Sequence, residues 1–410
     1  MLHSIVIAGA GQAGFQTAAS LRQDGFDSRI IMVGDEPGLP YQRPPLSKAY
    51  LMGKTSAEAL TFRPEKFFAD NSIELIAQTR VTAIDRTNKR VSLSGGGALE
   101  YDHLVLALGA HNRTLLIPGA DLDGVFGLRT LADADAIGAM LADAHEVVVA
   151  GAGFIGLEFA AVASALGKSV HVLELADRTM ARAISPEMSR LFAEAHVSWG
   201  VHIDFGQGLA CVDGERGRVS GIETTDGRKR PAGIVVFGIG VLPNVAIAAE
   251  AGLDIDNGIK VDAELLTSDP TISAIGDCAS FPSPFTAGHI RLESVQNAAD
   301  QGRAVAARLI GKSTPYAAVP WFWSDQRDLK LQIAGLSMGT DRTVVAGDAA
   351  ERRMSVLCFR RDKLIAVESV NRGSDHVAAR KLFARGTPAL TPGEASKPGF
   401  DLKAWEAANR

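Results

Sequence analysis

Two short stretches of this chain carry residue types that can grip a phosphate. Residues 8–14 read AGAGQAG and residues 150–156 read AGAGFIG, so Gly9, Gly11 and Gly14 recur as Gly151, Gly153 and Gly156. The first glycine of such a loop permits a tight turn. The second lets a pyrophosphate approach bare backbone, and the third lets a helix pack close to a strand. The helix that follows offers unpaired N–H groups and the positive end of its dipole to the phosphates. An acid at the end of the next strand then accepts hydrogen bonds from a ribose.

Such a loop has meaning only between a strand and a helix, and both copies have that setting. IVIA (5–8) reads as a buried strand, a helix follows to about Arg22, and RIIMV (29–33) is a second strand leading to Asp35 and Glu36. Either acid suits the ribose role. In the second copy VVVA (147–150) is the strand, the helix runs to about Leu166, and SVHVLE (169–174) ends on Glu174. A carboxylate there pairs with a free 2′-hydroxyl and repels a 2′-phosphate, which predicts NADH rather than NADPH. Arg178 and Arg182 follow closely and are read as touching the pyrophosphate or water. Two loops imply two dinucleotides in one chain, and electron transfer between them. With NADH on the second loop, FAD is the natural occupant of the first.

The elements that position these loops can be traced along the chain. DHLVLALGA (102–110) and IVVFGIGVLPN (234–244) are strands running into glycine turns, and each reads as a domain crossing. In YQRPPLSKAYLMGK (41–54) two prolines break regular structure, and a helix restarts with Ser47 as its N-cap. SAIGDCASF (273–281) is a buried strand ending in Gly-Asp, and residues 293–310 form one long amphipathic helix. From Pro320 onward apolar and polar residues alternate, with turns near Gly339, Gly347 and Asp362, the signature of an antiparallel sheet. A helix near 375–385 and a loop-like tail follow. The expected segments are 1–111, 112–243, 244–319 and 320–410. They form an FAD part in two pieces, an NADH part between them, and a C-terminal α+β domain.

Composition limits the remaining possibilities. A length of 410 residues suits two or three domains. A net charge of −5 argues against nucleic-acid binding. Cys211, Cys278 and Cys358 form no CxxC pair and no zinc spacing, and so sparse a set suits a reducing compartment. MLHSIVIAGAG enters an apolar strand at once, so no signal peptide is expected. No apolar run is long enough to span a membrane. A cytoplasmic protein without metal or membrane attachment is the expectation.

The motifs resemble those of the NADH-dependent ferredoxin reductases that feed cytochrome P450 and ring-hydroxylating oxygenase systems. The resemblance covers nearly the whole chain. It rests on the two glycine loops, RPPLSK (43–48), LRTLADA (128–134), GIGVLPN (238–244), GDCA (276–279), ESVQNA (293–298) and PWFWSDQ (320–326). Rubredoxin reductases and apoptosis-inducing flavoproteins share much of this pattern. The latter would add an insertion in the C-terminal domain and a targeting segment, and neither is visible. Leu108 departs from the pattern, standing where relatives often carry Thr. The disulfide reductases share the fold but place catalytic cysteine early in the chain, where this sequence has PPLSK. The implied fold is α/β and glutathione-reductase-like without the redox disulfide, with two Rossmann-like dinucleotide-binding domains and a C-terminal α+β domain.

The resemblance also implies roles. Ala13, Asp35, Arg43, Lys48, Val81, Arg129, Asp277 and Val295 are expected to touch FAD. Asp277 has helix N-capping as an alternative role. Lys48 and Glu158 are expected to pair beside the flavin and the nicotinamide. NADH would pass a hydride to the flavin, which releases electrons singly to a 2Fe–2S ferredoxin. In a plain strand Trp321 and Trp323 share one face and Phe322 is exposed on the other. One tryptophan is expected in the core and the other, taken as Trp321, by the flavin. Arg291, Arg303 and Lys330 are candidate contacts for an acidic ferredoxin.

Overall fold

The computed structural model describes residues 2–409. The chain divides into two compact units. The first holds the described residues up to Gln42, with Glu58–His111 and Leu242–Pro320; the second holds Arg43–Ala57, Asn112–Val241 and the described residues from Trp321.

The first unit is built on a five-stranded parallel sheet. Its order is Ile272–Ala274, His103–Leu106, Ser4–Ala8, Arg29–Val33, Ile73–Ile76. The inner strands read as continuous apolar runs because both faces are covered. Ile5, Val6, Ile7, Ile30, Ile31, Leu104 and Val105 have no exposed surface. The helices Gln12–Gln23 and Val295–Leu309 pack against each other. Gly302 allows the close approach, since a Cβ there would lie 2.9 Å from the carbonyl oxygen of Ala13. The unit also holds a three-stranded antiparallel sheet, Val81–Asp85, Arg90–Leu93 and Ala98–Glu100.

The second unit repeats the design. Its parallel sheet runs Val201–Phe205, Ser169–Glu174, Glu146–Ala150, Ile234–Phe237, Val125–Gly127. The helix Phe154–Ala165 follows the second glycine loop. The alternating C-terminal segment forms a five-stranded antiparallel sheet in the order Trp321–Gln326, Leu329–Gly335, Lys363–Val370, Arg353–Arg360, Arg342–Asp348. The helix Gly373–Ala384 packs on it. The fold is therefore α/β, with two Rossmann-like units and a C-terminal α+β part.

Two local expectations fail, whereas the turn expected near Gly347 lies just past it at residues 349–352, where the N–H of Arg352 bonds the carbonyl of Ala349. The tail contains the short helices Pro392–Ala395 and Leu402–Ala408, started by the side chains of Thr391 and Asp401. Ser47 caps no helix. It sits within a single wide turn, Leu46–Tyr50, and its hydroxyl serves another residue. Among the described residues no helix is long and apolar enough to cross a membrane.

Candidate functional site

The two glycine loops have nearly the same geometry. Gly9 and Gly151 hold φ of +117° and +102°, a region L side chains rarely adopt. A Cβ on Gly14 would lie 2.0 Å from the carbonyl oxygen of Gly9, and one on Gly156 would lie 2.1 Å from that of Gly151. The third glycine of each loop is thus required by the turn itself. The second is not. A Cβ on Gly11 would meet nothing within 4 Å, and one on Gly153 only the carbonyl of Gly238 at 3.7 Å. The protein leaves that space open at the start of each helix.

The helix starts agree. Gly11 and Gly153 occupy the N-cap positions, no side chain caps either helix, and neither first turn holds an acid. By contrast Thr130, Ser185 and Ser294 cap their helices with side-chain oxygens. Two N-termini left without a competing side-chain acceptor fit a phosphate at each.

The acids beyond the loops differ. Glu174 accepts from the N–H of Ala152, inside the loop, at 2.6 Å and from the N–H of Ala176 at 2.8 Å. Its carboxylate is therefore held at the loop by backbone. Asp35 lies exposed in an ion pair with Arg80 at 3.1 Å, while half-buried Glu36 accepts from the Tyr41 hydroxyl. Arg178 departs from its expected role. Its guanidinium donates to the carbonyls of Ala181 and Ile184 and to Ser189 Oγ, so it clamps its own loop. Arg182 is exposed.

Of the remaining candidates, Ala13, Val81, Asp277 and Val295 belong to the first unit. Ala13 is buried at the start of its helix, with Gly276 packed beside it. Val81 is buried at the first position of its strand. Asp277 caps no α-helix and lies in the 3₁₀ turn Gly276–Cys278. Val295 begins the helix capped by Ser294. Arg43, Lys48, Arg129, Glu158 and Trp321 belong to the second unit. There Arg43 donates to the carbonyl of Arg129 at 2.8 Å.

Lys48 and Glu158 meet as expected, with Lys48 Nζ 2.7 Å from Glu158 Oε2. Glu158 is only 6% exposed, and burial of a carboxylate demands partners. It has more than the lysine. Ser47 Oγ donates to Oε2 at 2.5 Å and Ser324 Oγ to Oε1 at 2.7 Å. Ser324 in turn receives from Gln326 Nε2 at 3.2 Å, and Gln326 Oε1 lies 2.8 Å from His196 Nε2. Of these four residues the sequence singled out only Ser47, and for a different role; the alternation of PWFWSDQ puts Ser324 and Gln326 on one strand face.

That face also corrects the expectation for Phe322. It is half-buried and its ring lies 4.5 Å from that of Phe154, at the start of the glycine-loop helix. Trp321 and Trp323 share the opposite face at 5.7 Å, and Arg380 stacks over Trp321 at 4.5 Å. Arg291 is no surface cation either. Its side chain is 10% exposed and bonds Glu293 at 2.6 Å and the carbonyl of Asp277. Arg303 is half-exposed and paired with Asp300, and Lys330 is exposed.

All three cysteines are free thiols. Burial pushes the Cys278 thiol up to about 11, and burial also pushes Cys358 up. Thiols so disposed are poor nucleophiles.

Two family descriptions match, and together they cover most of the chain. Residues 3–302 match the pyridine nucleotide-disulphide oxidoreductase family, and residues 321–405 match the reductase C-terminal family. The chain belongs to the pyridine nucleotide-disulphide oxidoreductase family. It is 52% identical to rhodocoxin reductase of Rhodococcus erythropolis, over 98% of this chain and 93% of that one. Its structure superimposes on a ferredoxin reductase for the CYP199A2 system from Rhodopseudomonas palustris with a TM-score of 0.96, at 51% identity and covering 98% and 100% of the two chains. The reductase of a covalent putidaredoxin reductase–putidaredoxin complex gives a TM-score of 0.95 at 39% identity, covering 99% and 98%.

Proposed function

We propose that this chain is an NADH-dependent ferredoxin reductase, carrying electrons from NADH through FAD to a small 2Fe–2S ferredoxin that serves a cytochrome P450 or oxygenase. The observation that carries this reading is the pair of uncapped glycine-loop helices in one chain without a reactive cysteine pair. The named activities of its relatives support the same reading.

The residues fit both dinucleotides. The open space at Gly11 and the free helix start beside it suit the FAD pyrophosphate, and Gly153 and its helix suit that of NADH. FAD, when bound, takes two electrons from NADH as hydride and releases them one at a time, which matches a one-electron acceptor. Gly9 and Gly151 bend the backbone so that N–H groups face the phosphates. Asp35 or Glu36 receives the FAD ribose, and Glu174 receives the NADH ribose and repels a 2′-phosphate. Arg43 and Arg129 supply positive charge for phosphate. Lys48, 20% exposed and ion-paired with Glu158, presents a fixed ammonium to the reacting groups. Ala13, Val81, Asp277 and Val295 complete the FAD contacts, with Trp321 at the flavin side of the C-terminal part.

In this reading residues 1–111 and 244–319 form the FAD part, 112–243 the NADH part and 320–410 the C-terminal part. A cytoplasmic location suits the three free thiols. Acceptor assays test the proposal. The purified protein is expected to be yellow, with one noncovalent FAD, and to reduce a 2Fe–2S ferredoxin with NADH at a rate that falls as salt screens docking. Arg303→Glu and Lys330→Glu raise KM for ferredoxin and leave flavin reduction by NADH unchanged. A folded protein that ignores added FAD overturns the reading. A rubredoxin reduced much faster than any 2Fe–2S protein replaces the acceptor.

A further inference from the structure

The partners of Glu158 form a string whose direction can be worked out from its end. An ionised carboxylate accepts hydrogen bonds and donates none. Lys48 Nζ at 2.7 Å, beside an almost fully buried carboxylate, marks Glu158 as the charged member of an ion pair. The Ser324 hydroxyl, 2.7 Å from Oε1, must then spend its single proton on Glu158. Ser324 Oγ has only acceptor capacity left, so Gln326 must turn its NH₂ toward it and its carbonyl toward His196. A carbonyl accepts, so His196 must carry its proton on Nε2.

The surroundings of His196 agree with that end point. His196 Nδ1 is buried without a partner, which suits a bare lone pair better than an N–H. Burial also pushes the imidazole down to about 4, so the ring is neutral and has one proton to place. His196 is fully buried against Trp199, with ring centroids 4.9 Å apart, and cannot turn freely. The far end of the string is thereby anchored.

We propose that Ser324 and Gln326 are positioning residues for the Lys48–Glu158 pair, forming a one-way donor string from His196 that fixes the Glu158 carboxylate so that Oε2 faces Lys48. The string is an anchor and not a proton wire, because the amide of Gln326 does not relay a proton. Successive donors pointing the same way polarise one another and strengthen the last bond. The PWFWSDQ strand of the C-terminal part thus acts on the second glycine-loop helix through a charge.

This inference rests on the reading that Lys48 and Glu158 serve flavin reduction, and the test separates the two. In rapid mixing of the holoenzyme with NADH, Ser324→Ala is expected to slow flavin reduction about tenfold, the effect of losing one hydrogen bond to a charged group, and Gln326→Leu to slow it less, because it removes only a neutral bond behind Ser324. Ser324→Thr restores most of the rate. In a Glu158→Leu background, Ser324→Ala changes the rate by less than about twofold, because its target is gone. Equal losses in both backgrounds overturn the string while leaving the pair's role intact. No loss in Glu158→Leu alone overturns the underlying reading. A second readout does not depend on turnover. In the ¹⁵N-histidine NMR spectrum of the holoenzyme, the ring assigned through His196→Asn should show a protonated Nε2, a bare Nδ1 and no titration down to about pH 5. A proton on Nδ1 reverses the string and overturns the proposal, even if the Glu158→Leu variant fails to fold.

Discussion

Glu174 has one job in the fold and a second in the proposed function. Its oxygens accept from Ala152 and Ala176, so it shapes the second glycine loop; as proposed, it also offers an acceptor to the NADH ribose. Removing the side chain would disturb the loop and blur any test of coenzyme choice. Glu174→Gln removes the charge and keeps one acceptor oxygen, at the cost of one of the two backbone hydrogen bonds. The ratio of kcat/KM for NADH over NADPH is expected to fall by at least about tenfold, since a like charge facing the 2′-phosphate costs several kcal/mol. An unchanged ratio in steady-state assays would remove Glu174 from coenzyme discrimination. Arg178 teaches the opposite lesson. Position near the second glycine loop suggested a ligand contact, but three of its five N–H donors are committed to two carbonyls and Ser189.

At the scale of the element, the three glycines of a loop are not equivalent. Gly14 is required by the strand–turn–helix packing, because an added Cβ would press on the Gly9 carbonyl at 2.0 Å. Gly11 is required by nothing in the protein itself. Gly14→Ala is therefore expected to destabilise the first unit by more than about 3 kcal/mol. Gly11→Ala should cost the apoprotein no more than about 1 kcal/mol, the ordinary difference between residues at an N-cap. It should nevertheless weaken FAD binding strongly, because its methyl group enters the space kept for the pyrophosphate. Denaturant melts of apoprotein and FAD titrations separate the two effects. If Gly11→Ala binds FAD normally, the open space serves something else.

At the scale of the molecule, one buried acid joins the C-terminal sheet to the dinucleotide fold within the second unit. Glu368 has no exposed surface and accepts from the N–H and the hydroxyl of Ser185, which begins the helix Pro186–Ser198. Burial pushes its carboxyl up to about 7, against the bonds from Ser185. The native state therefore holds a proton that the unfolded chain releases near pH 4.5. Between roughly pH 4.5 and 7 the folded form binds more protons, so this group's contribution to stability falls as pH rises and is gone above about 7. Glu368→Gln removes the dependence. Its stability relative to the parent chain is expected to improve from pH 5 to pH 8, by at most about 3 kcal/mol. Melting curves of both proteins across that range check the sign, and a gap that narrows with pH refutes it.

The sequence alone determined what is encoded over short distances. A glycine with positive φ, a turn too tight for a Cβ and an acid about twenty residues further on are properties of one strand–turn–helix unit, so both glycine loops could be read directly. The alternation from Trp321 likewise announced an antiparallel sheet. Lys48 and Glu158 were paired only by resemblance to relatives, since nothing local joins them. The tertiary structure alone decided who surrounds Glu158. Ser47 is 111 positions away and Ser324 is 166 away. Ser47 looked like a helix cap, Ser324 and Gln326 were read only as part of an alternating strand, and nothing in the sequence singled out His196. Their meaning comes from a buried charge, which must collect donors from whatever segments the fold brings to it.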